Sequence, residues 1–84
     1  MRRCRVVYDP VAEKAHNAMP PRVRKRFDEI LAGTLATDPY GYGSSPVGGE
    51  RDRRDATVDD VIIRYYVSGS VSTVTVVRVI AADL

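Results

Sequence analysis

The sequence has few of the residue types on which covalent and metal chemistry depend. Cys4 is the only cysteine and His16 the only histidine. One thiol can form neither an internal disulfide nor a thiolate cage for zinc, which is typical of a protein from a reducing cytoplasm. We therefore expect no metal and no cofactor, and we expect Cys4 to be a small buried side chain rather than a nucleophile.

Long apolar runs are also missing. No segment has the apolar length needed to cross a bilayer, and the opening residues MRRCR run into a short strand without the apolar region of a secretion signal. These absences predict a cytoplasmic protein without membrane contact. The Lys-Ser/Thr pair of a phosphate-binding loop does not follow any of four closely spaced glycines: Gly41, Gly43, Gly48 and Gly49.

A large excess of one charge is absent as well. The formal net charge of +2 is too small to indicate nucleic-acid binding by itself. Basic residues are instead concentrated in three segments, the last of which also contains acids: Arg2, Arg3 and Arg5; Arg22, Arg24, Lys25 and Arg26; Arg51, Arg53 and Arg54. The 84 residues suffice for one domain spanning residues 1–84. A core this small gains stability from a bound partner.

The first part of the chain predicts a strand and two helices. Residues 4–8 alternate as a strand does. Asp9 and Pro10 are suited to cap and begin a helix that reaches about residue 19. A second helix begins at the prolines 20–21, and its apolar side chains form one stripe: Val23, Phe27, Ile30, Leu31 and Leu35.

The second part predicts a loop and a three-stranded meander. Residues 37–49 are rich in Gly and Pro and show no period. Strands are expected at 51–58, 61–67 and 71–80, with a hairpin turn at 68–70. The order β, α, α, β, β, β predicts an α+β fold. In it, the N-terminal strand and helical hairpin pack on one face of a mainly antiparallel sheet and leave the other face open.

The predicted open face holds the candidate site residues. Arg64 and Arg78 interrupt apolar strands, so each either reaches solvent on this face or finds a buried partner, and an ordinary ion pair explains them equally well. Tyr66 shares a face with Arg64, where it can stack on RNA or donate a proton, whereas Tyr65 falls on the core side. Phosphate contact, or else pairing with nearby acids on a solvated strand, explains a further group: Arg51, Arg53 and Arg54.

Three other side chains have weaker interpretations. Tyr40 and Tyr42, in the loop, can stack on bases, pack against a partner or simply pin the loop. His16 lies on a helix away from the open face, so we expect a surface side chain without a role.

Five segments of the chain form an ordered set of motifs. They are VVYDPVAEKA (6–15), MPPRVRKRFDEIL (19–31), TDPYG (37–41), RRDA (53–56) and VIIRYYV (61–67). Over nearly the whole chain, this set resembles the RelE/ParE superfamily of toxins. In that family these positions hold a first strand with a helical hairpin, an Asp-Pro that ends the second helix, an Arg-rich strand and a Tyr-containing strand.

The resemblance implies the toxin of a type II toxin–antitoxin system, bound by a cognate antitoxin protein. RelE-like members are mRNA interferases, endoribonucleases that inhibit translation by cutting mRNA on the ribosome, whereas ParE-like members act on DNA gyrase. In RelE-type cleavage, which needs no metal, the 2′-hydroxyl of the RNA attacks the neighbouring phosphate. The protein stabilises the resulting charge and protonates the leaving oxygen. Near the corresponding places this chain has catalytic candidates Arg64, Tyr66 and Arg78, and RNA-binding candidates Arg51, Arg53 and Arg54.

The chain departs from the family pattern at two places. Ile62 stands where the family often has Arg, and residues 81–84 (AADL) stand where RelE-like members often have a basic residue followed by Tyr or His. A ribosome-dependent mRNA interferase is the leading hypothesis. Two alternatives stay open. One is a non-catalytic relative that acts by protein binding, either as a gyrase inhibitor or as a degenerate toxin that only pairs with its antitoxin. The other is a small nucleic-acid-binding adaptor.

Overall fold

The computed structural model describes residues 3–81. Its strands and helices are, in chain order, β1 (Arg5–Tyr8), α1 (Pro10–Asn17), α2 (Pro21–Gly33), β2 (Ser45–Val47), β3 (Glu50–Val58), β4 (Val61–Ser68) and β5 (Thr73–Ala81). The strands form one sheet in the order β1-β5-β4-β3-β2. Neighbouring strands are antiparallel except β1 and β5, which are parallel. The predicted α+β fold with a mainly antiparallel sheet is confirmed.

Local sequence explains where the two helices begin. The Asp9 carboxylate accepts a hydrogen bond of 2.9 Å from the backbone N–H of Ala12, as expected of the predicted N-cap. The second helix begins at Pro21, whose fixed φ suits the first helical turn and whose missing N–H costs nothing there. Both starts follow directly from the sequence.

The core lies between the helices and one face of the sheet. Phe27, Leu31 and Leu35 of the predicted stripe are almost fully buried, whereas Val23 at its beginning is 37% exposed. Cys4 is buried in the same core, as expected. The sheet contributes alternate residues of its two central strands: Val61, Ile63, Tyr65, Val67, Val74 and Val76. Val79 of β5 packs against this core as a partly buried side chain, whereas the intervening residues of β4 face away from the helices.

A bulge in β5 determines which of its residues face the core. Val76 is fully buried and Arg78 is exposed, although regular pleating places residues two apart on the same face. The pairing register shifts here, because Arg64 lies opposite Arg78 while Tyr65 lies opposite Val76. Val77 is the extra residue, and it moves Arg78 to the open face.

Two stretches of backbone differ from the prediction. The segment 37–49 contains the short strand β2, which pairs with β3. A strand of three residues is too short to show a period in sequence. The predicted turn at 68–70 is a 3₁₀ turn over Gly69–Val71 that ends at a left-handed Ser72, with a φ of 47°. The strand β5 therefore begins at Thr73 rather than at 71.

Neither helix within residues 3–81 has the length and apolar character of a membrane span.

Candidate nucleic-acid interface

The face of the sheet opposite the helices carries a compact group of charged and phenolic side chains. Asp55 lies opposite Arg64, and Arg64 lies opposite Arg78 on the next strand. Arg53 lies opposite Tyr66 in the same way. These five residues are termed the cationic face. The three residues predicted to be catalytic thus lie together on one surface, as does Arg53 of the predicted RNA-binding group.

Arg64 and Asp55 form a bidentate ion pair at the centre of the cationic face. Arg64 Nε donates to Asp55 Oδ1 at 2.8 Å, and Nη2 donates to Oδ2 at 3.1 Å. Both side chains are partly exposed, 30% for Arg64 and 38% for Asp55. The hydrogen bonds from Arg64 lower the pKa of Asp55 against a weaker opposing effect of burial, and they raise the pKa of Arg64. Asp55 is therefore an anion that neutralises part of the face.

Arg78 and Arg53 flank this ion pair. None of the acids described in residues 3–81 forms an ion pair with Arg78, which borders a small cleft of about 70 Å³. The guanidinium of Arg53 lies 5.6 Å from the centre of the Tyr66 ring, within the range of a cation–π contact. Its Nη1 is 3.9 Å from the Glu50 carboxylate, so this pair is loose. Both guanidiniums keep hydrogen-bonding capacity for a ligand.

Arg54 lies apart from the cationic face. Its side chain is buried on the helix side of β3. Nε donates to the Ser44 hydroxyl at 3.0 Å, Nη2 to the Ser44 carbonyl at 3.1 Å, and Nη1 to the Arg51 carbonyl at 2.9 Å. A guanidinium whose donors are used inside the protein holds the loop rather than a phosphate. We therefore leave Arg54 out of the site.

Arg51 lies at the border of the cationic face. Its guanidinium stacks over the Tyr40 ring at 4.0 Å. The Tyr40 hydroxyl donates to Asp52 Oδ1 at 2.6 Å, and this hydrogen bond raises the pKa of Tyr40. A cleft of about 300 Å³ lies between this segment of β3 and Tyr66. Of the interpretations of Tyr40, pinning of the loop agrees with these contacts.

The single histidine belongs to a separate cluster on the helix side. His16 Nε2 lies 2.6 Å from Asp28 Oδ1 and its ring stacks on Tyr8 with centroids 4.5 Å apart. The side chain is only 14% exposed, so the expectation of a free surface histidine was wrong. Burial, together with the charge of Asp28, raises the pKa of Tyr8 well above its usual range. These contacts join α1, α2 and β1.

The sequence did not single out Asp55 as a site residue. It was one of several acids near an Arg-rich segment, and only the pairing of β3 with β4 places it against Arg64.

Ile62, at the position where the resemblance implies Arg, is exposed on the open face opposite Ile80. The departure at 81–84 falls mostly on residues 82–84, which lie outside the described residues. Residues 3–81 hold no group of three His, Cys, Asp or Glu side chains that could bind a metal.

Comparisons with known proteins identify the architecture. No protein-family model and no curated protein sequence matches the chain. A chain of the toxin–antitoxin complex RelBE2 from Mycobacterium tuberculosis matches with a TM-score of 0.80 at 21% identity, covering 95% of this chain and 99% of that one. A mutant of the E. coli toxin RelE in the free state matches with a TM-score of 0.76 at 18% identity, covering 98% and 86%. The archaeal RelE–RelB complex from Pyrococcus horikoshii gives 0.64 at 17%, covering 98% and 98%.

The fold is thus an α+β sheet with a helical hairpin on one face. More specifically, it is the RelE fold, as the resemblance of the five sequence segments implied.

Proposed function

We propose that this chain is the toxin of a type II toxin–antitoxin system and that, when free, it is a RelE-like mRNA interferase. The RelE fold supports the toxin role, because the similar solved structures are RelE toxins and toxin–antitoxin complexes. The observation that carries the nuclease is the grouping of Arg53, Arg64, Tyr66 and Arg78 on one bare face. The proposed partners are a cognate antitoxin protein and ribosome-bound mRNA, and the proposed compartment is the cytoplasm.

The side chains of the cationic face suit metal-free RNA cleavage. The 2′-hydroxyl loses its proton to water as its oxygen bonds to phosphorus and the bond from phosphorus to the 5′-oxygen breaks. Fixed positive donors stabilise the negative charge that builds on the phosphate in this step. The guanidiniums of Arg78 and Arg64 can supply these donors in bidentate geometry. Tyr66 has an exposed phenol that can deliver a proton to the leaving oxygen. Arg53, beside the Tyr66 ring, would orient that ring and contact a neighbouring phosphate.

Mapping of mRNA ends in a translating extract tests this function. We expect the purified chain to cut mRNA within the codon in the ribosomal A site. We expect Arg78→Ala and Tyr66→Phe each to slow cutting by about 10²-fold, since one lost charge stabiliser or proton donor has this effect. Arg22→Ala, which removes an exposed arginine from α2 on the helix side, is the matched control and should cut normally. Intact mRNA, or equal cutting by all variants, would contradict the nuclease.

A second candidate is a non-catalytic toxin that acts by protein binding. The ion pair of Asp55 with Arg64 favours it, because it places an anion among the arginines that would hold RNA. Inhibition of supercoiling by purified DNA gyrase, with intact mRNA in the extract, would support a ParE-like inhibitor. Tight antitoxin binding with neither activity would support a degenerate toxin.

A further inference from the structure

The carboxylate of Asp55 is subject to the positive charge of three arginines. Arg64 grips its carboxylate directly, at 2.8 and 3.1 Å. Arg53 precedes it by two residues on the same face of β3, and Arg78 lies across from Arg64 on β5. Both of these arginines also act electrostatically on Asp55, adding to the lowering of its pKa by Arg64. One carboxylate thus faces three guanidiniums.

The carboxylate of Asp55 has the shape of the ligand that these arginines would otherwise bind. Carboxylate and phosphate each offer two oxygens to the fork of a guanidinium, so they use the same donors of Arg64. The side chains of Arg64 and Asp55 are both partly exposed to water, so solvent and salt screen the attraction between them. A phosphate that also contacts Arg78 can therefore replace Asp55 at small cost.

We propose that Asp55 is an internal competitor for phosphate at Arg64. In the free protein Asp55 holds the Arg64 guanidinium, and a phosphate that reaches Arg78 takes over the same donors. With RNA as the ligand this inference rests on the proposed function, whereas the exchange itself applies to any phosphate. Asp55 then sets how tightly the cationic face binds a phosphate chain, and it keeps Arg64 aligned on the open face until the ligand arrives.

Binding of inorganic pyrophosphate to the whole chain tests the exchange without assuming a nuclease. We expect Asp55→Asn to bind pyrophosphate about fivefold more tightly than the wild type, since the competing ion pair is worth at most about this factor. Asp60→Asn removes the same charge at the turn between β3 and β4, at an exposed residue with φ of 66° that Asn adopts readily. This control should change the affinity by less than about twofold.

A double variant separates competition at Arg64 from a general charge effect. We expect Asp55→Asn to give no more gain in affinity than Asp60→Asn does, less than about twofold, when Arg64→Ala is also present. In NMR spectra of the wild type, the Nε–H signal of Arg64 should shift as pyrophosphate is added. The inference fails if Asp55→Asn binds pyrophosphate no better than Asp60→Asn, if its gain persists without Arg64, or if no variant binds pyrophosphate.

The two proposals fail separately. A gain for Asp55→Asn with pyrophosphate, without mRNA cutting by any variant, would leave the exchange standing and remove the nuclease. Cutting that depends on Arg78, with no gain for Asp55→Asn in binding pyrophosphate or a short single-stranded RNA, would leave the nuclease standing and remove the exchange.

Discussion

Tyr65 and Tyr66 are neighbours in sequence but occupy opposite faces of β4. Tyr65 is fully buried, and its hydroxyl donates to the Pro39 carbonyl at 2.6 Å, whereas Tyr66 is 38% exposed. We expect Tyr65→Phe to lower the free energy of unfolding by about 1–2 kcal/mol, because it leaves a buried carbonyl without its donor. Tyr66→Phe is the control and should change it by less than about 0.5 kcal/mol. Urea unfolding of both variants measures the difference, and equal effects would contradict this role of Tyr65.

Tyr8 makes stability depend on pH in the alkaline range. Burial and Asp28 raise its pKa above the ordinary value of 10.0. The unfolded chain therefore ionises at a pH where the folded chain still holds a neutral phenol. This contribution to stability is complete below pH 10 and is lost as the pH rises above it.

A phenylalanine at position 8 cannot ionise, which isolates the contribution of this phenol. We expect the free energy of unfolding of the wild type to fall more steeply above pH 10 than that of Tyr8→Phe. Urea unfolding at a series of pH values measures this. Tyr42→Phe, which removes a phenol at an exposed loop position, is the matched control. Parallel curves for wild type and Tyr8→Phe would rule out the effect.

The sequence predicted which strand residues share a face of the sheet, but it did not predict which of them are covered by the loop. Alternation correctly placed Tyr65 in the core and put Arg64 and Tyr66 on one face. It could not show that Arg54 is buried under the loop, because the Ser44 atoms that hold its guanidinium come from a segment without any period. The pairing of Asp55 with Arg64 depends in the same way on the register between two strands.

The helix α2 was predicted with a single apolar stripe, but the structure uses that stripe unevenly. Leu31 is 2% exposed, whereas Val23 of the same stripe is 37% exposed. We expect Leu31→Ala to lower the free energy of unfolding by about 2–5 kcal/mol, and Val23→Ala by less than about 1 kcal/mol. Chemical unfolding of the two variants checks this. Similar losses would mean that Val23 is covered in solution.

Strand β5 contains a bulge that the periodicity of its sequence does not predict. Its apolar residues predicted a strand at 71–80, and the structure places β5 between β1 and β4. The bulge at Val77 was not predictable, because a run of valines gives no sign of where the pleat changes phase. Without that bulge, Arg78 would share the buried face of Val76. The composition of the candidate site therefore depends on one inserted residue.

The small net charge of the molecule conceals a local concentration of charge. The cationic face gathers Arg53, Arg64 and Arg78 around one carboxylate. For single-stranded RNA, the logarithm of the binding constant falls against the logarithm of salt concentration with a slope of about −0.7 for each phosphate neutralised. We expect a slope near −2 for the wild type and a slope less steep by about 0.7 for Arg78→Ala.

Fluorescence anisotropy of a labelled single-stranded RNA over a range of salt concentrations measures this slope. Arg22→Ala, on the helix side, should keep the wild-type slope. If both variants changed it equally, RNA would be binding to the general charge of the molecule rather than to the cationic face.

The parallel pairing of β1 with β5 joins residues made early in translation to residues made late, since Arg5 lies opposite Thr73. A nascent chain whose helices and β3–β4 hairpin have left the ribosome still lacks β5, the strand that lies between β1 and β4. The sheet can close only after β5 has cleared the exit tunnel. For the toxin proposed above, this delay separates synthesis from activity. The chain is still without its complete sheet, and therefore inactive, while the ribosome that makes it holds β5.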